Sequence, residues 1–290
     1  MTGSFGTMGS GEGVLYVVAT PIGNLEDITI RGVRILREVD LIACEDTRHT
    51  RKLLSRYGIT KPLTSYFDHN QQVKGDLLLS ELSAGKRVAL VSDAGTPTIS
   101  DPGYRLVRDA AERGIPVVPI PGPSAVVTAL SASGLPTDRF TFIGFLPSRR
   151  LKRREELSRL AHEHRTLVFY ESPRRVVDTL TDMADIMGDR EGVIARELTK
   201  IHETFLRGRL FALAADPSLQ GIKGEVVILV APSDPGSGGG EEIDAASELR
   251  RLMEGGLTLR DAVSTLAMQT GISRSTLYAT ALTITKGERS

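Results

Sequence analysis

Glu45, Asp46, Glu171 and Glu197 each stand at or just beyond the end of a short apolar run. In α/β proteins, strand ends of this kind are where ligands and reactive side chains meet. A carboxylate placed there can orient or accept the proton of a hydroxyl, the work of a general base. The same acids could instead be spent on ion pairs with Arg48, Arg174 or Arg196, so the sequence leaves two roles open for each. Around the first pair, Glu45-Asp46-Thr47-Arg48-His49-Thr50-Arg51-Lys52 crowds both signs of charge. That is either a solvated helix start, with acids where the macrodipole favours them, or an acid and base cluster on a cleft.

The residues between those acids are organised around 88–103, V-A-L-V-S-D-A-G-T-P-T-I-S-D-P-G. Val88 to Val91 is unbroken apolar chain, as expected of a strand buried on both faces of a parallel sheet. Asp93, Gly95, Pro97, Asp101, Pro102 and Gly103 then form a loop longer than the roughly 2–6 residues usual in α/β connections. Two further loops have the same character: Thr20-Pro21-Ile22-Gly23-Asn24-Leu25 after a first strand, and Pro121-Gly122-Pro123-Ser124-Ala125, whose serine could cap a helix. None carries the basic residues a nucleotide phosphate requires. A neutral crevice of main-chain amides and carbonyls in an apolar surround suits adenosine joined to an amino acid and a sulfonium.

Several common chemistries are excluded. The chain has no G-x-x-x-x-G-K-[ST] loop, no G-x-S-x-G elbow and no C-x-x-C pair. His162 and His164 are the only close histidines, and at i and i+2 they point apart on a helix, so no metal is expected. Lys plus Arg and Asp plus Glu both total 36, so any polyanionic partner must be met by a local patch. Cys44 stands alone, which rules out an internal disulfide. With no apolar stretch near the roughly 20 residues of a membrane span, the chain reads as cytoplasmic.

The elements follow from periodicity. Residues 1–13 are Gly, Ser and Thr rich and are expected to be a disordered tail. Apolar β-branched runs at 14–20, 40–44, 63–66, 88–91 and 116–120 alternate with helical patterns, the signature of a parallel sheet with crossover helices over 14–121. Strands recur at 140–144, 166–171, 192–197, 202–207 and 225–230. Less helix separates the last three, so 122–231 is expected to hold a mixed sheet. Pro232 to Asp244 reads as a flexible linker. Residues 245–290 read as a helical, helix-turn-helix-like module, with Ala267, Gly271 and Leu277 near the expected turn. Arg149, Arg150, Lys152, Arg153 and Arg154 make five basic residues in six at a helix start, where the dipole disfavours positive charge. That cost favours a polyanionic partner.

Six ordered blocks resemble one family. Thr20 to Leu25, Cys44 to Thr50, Val91 to Pro97, Pro121 to Ala125, Phe169-Tyr170-Glu171-Ser172 and Ala195-Arg196-Glu197-Leu198-Thr199-Lys200 are similar to the rRNA-modifying branch of the tetrapyrrole-methylase-like superfamily of S-adenosylmethionine-dependent methyltransferases. The resemblance covers about 14–231 and is weaker beyond the linker. It implies two α/β domains with S-adenosylmethionine in the cleft between them, a homodimer, and 2′-O-ribose methylation of a decoding-centre cytidine in the 16S rRNA of the 30S subunit. It also implies a cofactor site at Pro21, Gly23, Asp93, Ala94, Gly95, Thr96, Ile99, Ser124, Ala125, Tyr170 and Ala195. Arg48, Arg51, Lys52 and the 149–154 run are expected to hold RNA phosphates. The first loop lacks the G-x-G-P-G-D style of members that methylate tetrapyrroles, which argues against a porphyrin-type substrate. A methyltransferase of the superfamily acting on a small cyclic or protein substrate, and a non-catalytic nucleic-acid binder, are the competing readings.

Overall fold

The computed structural model describes residues 13–67, 70–233, 245–270, 277–278 and 280–281. Five strands, β1 (Val14–Val18), β2 (Leu41–Cys44), β3 (Leu63–Ser65), β4 (Arg87–Val91) and β5 (Val117–Ile120), form one wholly parallel sheet. Their order is β3-β2-β4-β1-β5, so the apolar runs at β1 and β4 take the centre. Pleating sends alternate residues to opposite faces. Val18, Ile42, Ala89 and Val91 pack under α1 (Ile30–Glu38) and α2 (Thr47–Arg56). Leu15, Ala43, Val88 and Leu90 pack under α3 (Gln71–Ser83) and α4 (Tyr104–Glu112). Each fully buried Leu or Val among them contributes about 1.5–3 kcal/mol. The sheet has no wet face, which is why its strands read as continuous rather than alternating hydrophobicity.

Helix α5 (Ala125–Ser133) carries the chain to a second sheet. Its apolar residues Val126, Ala129 and Leu130 pack on Val168, Val193, Ala195, Val227 and Leu229. Those side chains belong to β7 (Thr166–Glu171), β8 (Glu191–Arg196) and β10 (Val226–Val230), flanked by β6 (Phe140–Phe145) and β9 (Thr204–Arg209) in the order β6-β7-β10-β8-β9. Only β6 and β7 run parallel, and the other three pairings are antiparallel, so this is the mixed sheet the spacing predicts. The opposite face is covered by α6 (Arg150–Leu160), α7 (Val176–Met187) and α8 (Leu210–Ala214) through Leu157, Leu180, Met183 and Leu213. Strand β9 starts two residues later than its apolar pattern suggests. A tight turn holds 197–203, in which Glu197 and Thr199 adopt φ of 53° and 64° and Glu203 accepts the Thr199 N–H at 2.6 Å.

Two further helices, α9 (Ala245–Glu254) and α10 (Leu259–Thr270), share a small core of Leu249, Ala262, Val263 and Leu266, joined by Leu277 and Ala281. Thr258 caps α10 by accepting the Asp261 N–H at 3.2 Å. The Asp261 carboxylate, one methylene short of Glu, accepts the Thr258 hydroxyl at 2.7 Å. Of the expected tail over 1–13, residues 1–12 lie outside the described residues, as do most of the linker and the glycine turn at 271, whereas Gly13 is buried against Leu82 and leads directly into β1.

Candidate active site

At the carboxyl ends of β1 and β4, two loops are fused into one unit. Thr20 and Gly95 exchange backbone hydrogen bonds at 2.9 and 3.0 Å, and the Thr20 hydroxyl donates to the Ser92 carbonyl at 3.0 Å. Gly95 has φ of +83°, a conformation glycine adopts without penalty. The Thr96 hydroxyl then donates to the Pro123 carbonyl at 3.2 Å, tying in the loop that starts α5. The Asn24 N–H donates to Thr199 Oγ1 at 2.9 Å, and a Cβ on Gly23 would sit 2.6 Å from Lys200 Cγ. Glycine at 23 therefore lets the first loop close against the second sheet.

These four loops enclose a cavity of about 360 Å³, within the range of small-molecule sites. Ile22, Ala125, Leu198 and Val227 give it an apolar wall, and Thr96, Ser100 and Ser124 add hydroxyls. Tyr170 lies edge-on to Phe142 and Phe145 at 4.9 and 5.5 Å between centroids. Burial, and then the nearby Asp101 and Glu225, push its phenol up to about 12, so it stays a hydrogen-bond donor at working pH. Asp101, Glu171 and Glu225 also line the cavity, and among the described residues no Lys or Arg does. The crevice lacks cations as expected, but it is acidic rather than neutral. Burial pushes the Asp101 carboxyl up to about 6, with the like charges of Glu45 and Asp93 adding to it.

Of the expected cofactor residues, Ala94, Gly95, Thr96, Ile99, Ser124, Ala125 and Tyr170 line this cavity. The other four are not among its lining residues. Pro21 and Gly23 flank Ile22, Asp93 accepts the Asp46 N–H at 3.0 Å, and Ala195 is buried in β8 opposite Val227.

The four candidate bases divide in the same way. Asp46 caps α2 by accepting the Arg48 N–H at 2.7 Å and pairs with the Arg48 guanidinium, contacts that hold its carboxyl below the usual range. Glu197 is bonded to Lys200 at 2.8 Å and to the Glu225 N–H at 3.0 Å, and the Lys200 ammonium holds its carboxyl low. It does not line the cavity. Glu171 does, yet its carboxylate accepts from Ser172 N–H at 2.6 Å and Thr179 Oγ1 at 2.7 Å and pairs with Arg175 at 2.6 Å. These three acids thus resemble the structural ion pairs that the sequence left open, although Glu171 and Glu197 use Arg175 and Lys200 rather than Arg174 and Arg196. Glu45 is the one of the four close enough to Asp101 to raise its carboxyl.

The basic run is corrected most. Arg153 is buried, and with Arg150 and Arg154 it converges on the fully buried Asp182 at 2.7, 3.1 and 2.8 Å. The positive charge at this helix start is compensated from α7, which sequence spacing does not reveal. Arg149 and Lys152 remain exposed. Arg48, Arg51 and Lys52 are exposed on α2, whose first turn abuts the cavity rim through Asp46 and Asp93. Asp101 itself reads in the sequence only as a turn former, although its place in the unusually long loop after β4 was the available signal.

A parallel sheet stands beside a mixed sheet, with an acidic cavity at the loops between them. The arrangement is similar to solved structures of cobalt precorrin-4 methyltransferase, a cobalamin biosynthetic enzyme (TM-score 0.58, 19% identity, 75% of this chain and 94% of that chain), and of diphthine synthase (TM-score 0.58, 16% identity, 76% and 90%). At those identities the likeness is one of fold. Residues 14–214 match the Tetrapyrrole (Corrin/Porphyrin) Methylases model, and the chain belongs to that family. It is 46% identical over 271 residues to the ribosomal RNA small subunit methyltransferase I of Halalkalibacterium halodurans, covering 92% of this chain and 94% of that protein. The proteins of the same name from Synechocystis sp. and Xylella fastidiosa are 48% identical over 272 residues and 49% over 279, covering 93% of this chain and 98% and 99% of theirs.

Proposed function

We propose that this protein methylates the ribose 2′-hydroxyl of a cytidine in 16S rRNA, with S-adenosylmethionine as donor, as a cytoplasmic homodimer. The observation that carries the reading is the cavity at the junction of the loops after β1 and β4 with the start of α5. It is large enough for a nucleoside with an amino-acid arm, and its residues fit one. Ile22, Leu198 and Val227 offer a dry surface to a ring. The first amides of α5 suit a carboxylate, because a helix N-terminus leaves N–H groups unpaired. The carbonyls of the fused loops suit an ammonium and a sulfonium. When bound, the donor supplies an electrophilic methyl carbon.

The protein's own part is then to place a ribose hydroxyl in line with that carbon, which can account for most of the acceleration. The names of the relatives support rRNA as the acceptor, and the exposed cations of α2 lie beside the cavity rim. Phosphates held there would bring a nucleotide to the crevice. Joint replacement of Arg48, Arg51 and Lys52 by alanine is expected to flatten the salt dependence of RNA binding by roughly 2–3 in log–log slope. Calorimetry should show donor affinity unchanged. Equal loss of donor and RNA binding would reject the assignment of these cations to RNA.

The function itself is tested by incubating the protein with labelled donor and, separately, 30S subunits, naked 16S rRNA and free tetrapyrrole, then mapping ribose methylation. A single 2′-O-methylcytidine in 16S rRNA is the expected product. Labelling of the tetrapyrrole or of a ribosomal protein would give the reaction to another substrate class. No measurable affinity for the donor would leave a non-catalytic binder.

A further inference from the structure

We infer that Asp101 is the catalytic residue that accepts the proton of the attacking ribose hydroxyl, an assignment that rests on the methyl transfer proposed above. Its side chain lies in the cavity wall, on the loop after β4. The fold holds that loop in an unfavourable conformation. Thr98 and Ser100, neither of them glycine, have φ of 76° and 58°, which costs on the order of 1–3 kcal/mol for each. The two strained residues bracket Ile99, and Ile99, Ser100 and Asp101 all line the cavity. Strain so placed serves to aim a segment at the site.

The other acids near the cavity are engaged. Glu171 is held by Arg175, Thr179 and Ser172, and Glu225 by Lys200 at 3.0 Å. Asp93 accepts the Asp46 N–H. Asp101 faces no Lys or Arg partner among the described residues, and the Ser92 hydroxyl is the hydrogen-bonding side chain beside it. The ionisable groups facing it are Glu45 from the end of β2, Asp93 from the end of β4 and Tyr170 from β7. Burial and these like charges bring its carboxyl to about 6, so at neutral pH it is ionised yet more basic than an ordinary aspartate. In the transfer, the bond from the 2′-oxygen to the methyl carbon forms as the carbon–sulfur bond breaks, and that electron pair remains on sulfur. The hydroxyl proton passes to the Asp101 carboxylate and from there to water.

The test compares wild type, Asp101→Asn and Asp101→Glu by methylation of 30S subunits, by calorimetry with S-adenosylmethionine and by thermal unfolding. Asp101→Asn is expected to lower kcat by about 10²–10⁴-fold with donor Kd within about threefold. The wild-type acid limb of kcat, centred near pH 6, should vanish from the residual activity, and Asp101→Glu should restore part of the rate. A raised carboxyl favours the fold when protonated and opposes it once ionised, so Asp101→Asn should raise Tm relative to wild type at pH 8. Retention of the acid limb, a kcat within threefold of wild type, a matching loss of donor affinity, or a fall in Tm would each overturn the assignment. If wild type itself neither binds the donor nor methylates the subunit, the proposed function falls as well, and the wild-type controls alone reveal that.

Discussion

Asp182→Ala is expected to destabilise the protein by about 3–5 kcal/mol, seen as a fall in Tm of roughly 10 °C. The carboxylate is fully buried and receives Arg150, Arg153 and Arg154 at once. Burial alone would push its carboxyl up, but the three guanidinium groups hold it below the usual range. Its contribution is therefore present above the ordinary carboxylate range and lost as pH falls through the depressed value. Without the acid, Arg150 and Arg154 can swing into water, since their side chains are 68% and 36% exposed. Arg153 is 4% exposed and cannot, so a charge is left buried without its partner. Combining Asp182→Ala with Arg153→Met should recover much of the loss, because replacing both members of a buried pair by apolar groups is often near neutral. A double variant as unstable as the single one would show that the cluster acts through packing instead.

The second large effect is expected at Gly95. A Cβ there would find room, at 3.4 Å from Ile22 Cγ2, so crowding is not the difficulty. The difficulty is φ of +83°, which costs roughly 1–2 kcal/mol for an L-residue and more for a β-branched one. Gly95→Val should therefore turn the backbone, break the paired hydrogen bonds to Thr20 and open the junction of the loops after β1 and β4. S-adenosylmethionine affinity is expected to fall by at least about 100-fold, with Gly95→Ala losing about tenfold, as each 1.4 kcal/mol is a factor of ten. Calorimetry on both variants checks this, with circular dichroism confirming the fold. Donor binding by Gly95→Val within threefold of wild type would move the site away from this junction.

Both variants touch features of unequal visibility in the sequence. Gly95 sits in a loop whose length and composition mark it as a ligand floor before any coordinates are known. Asp182 lies within a helix whose sequence gives it no distinction, and only the packing of α7 against α6 brings it under three arginines. The basic run at 149–154 thus reads as an RNA patch from the sequence and is largely a structural cluster in space. The same holds among the acids. Glu171 and Glu197 stand at strand ends as expected, but Arg175 and Lys200, four and three residues on, claim them. Asp101 reads as punctuation, because a side chain's burial and its neighbours' charge are absent from linear order.

What the sequence by itself determined was the secondary structure and its grouping: β-branched runs buried on both faces, crossover helices between them, and glycine and proline loops at their ends. Those are consequences of local periodicity and backbone conformation, which neighbouring residues dictate. What only the tertiary structure decided was the assignment of charge. Which carboxylate is free and which is spent depends on partners brought from distant parts of the chain, and on how little water is left between them.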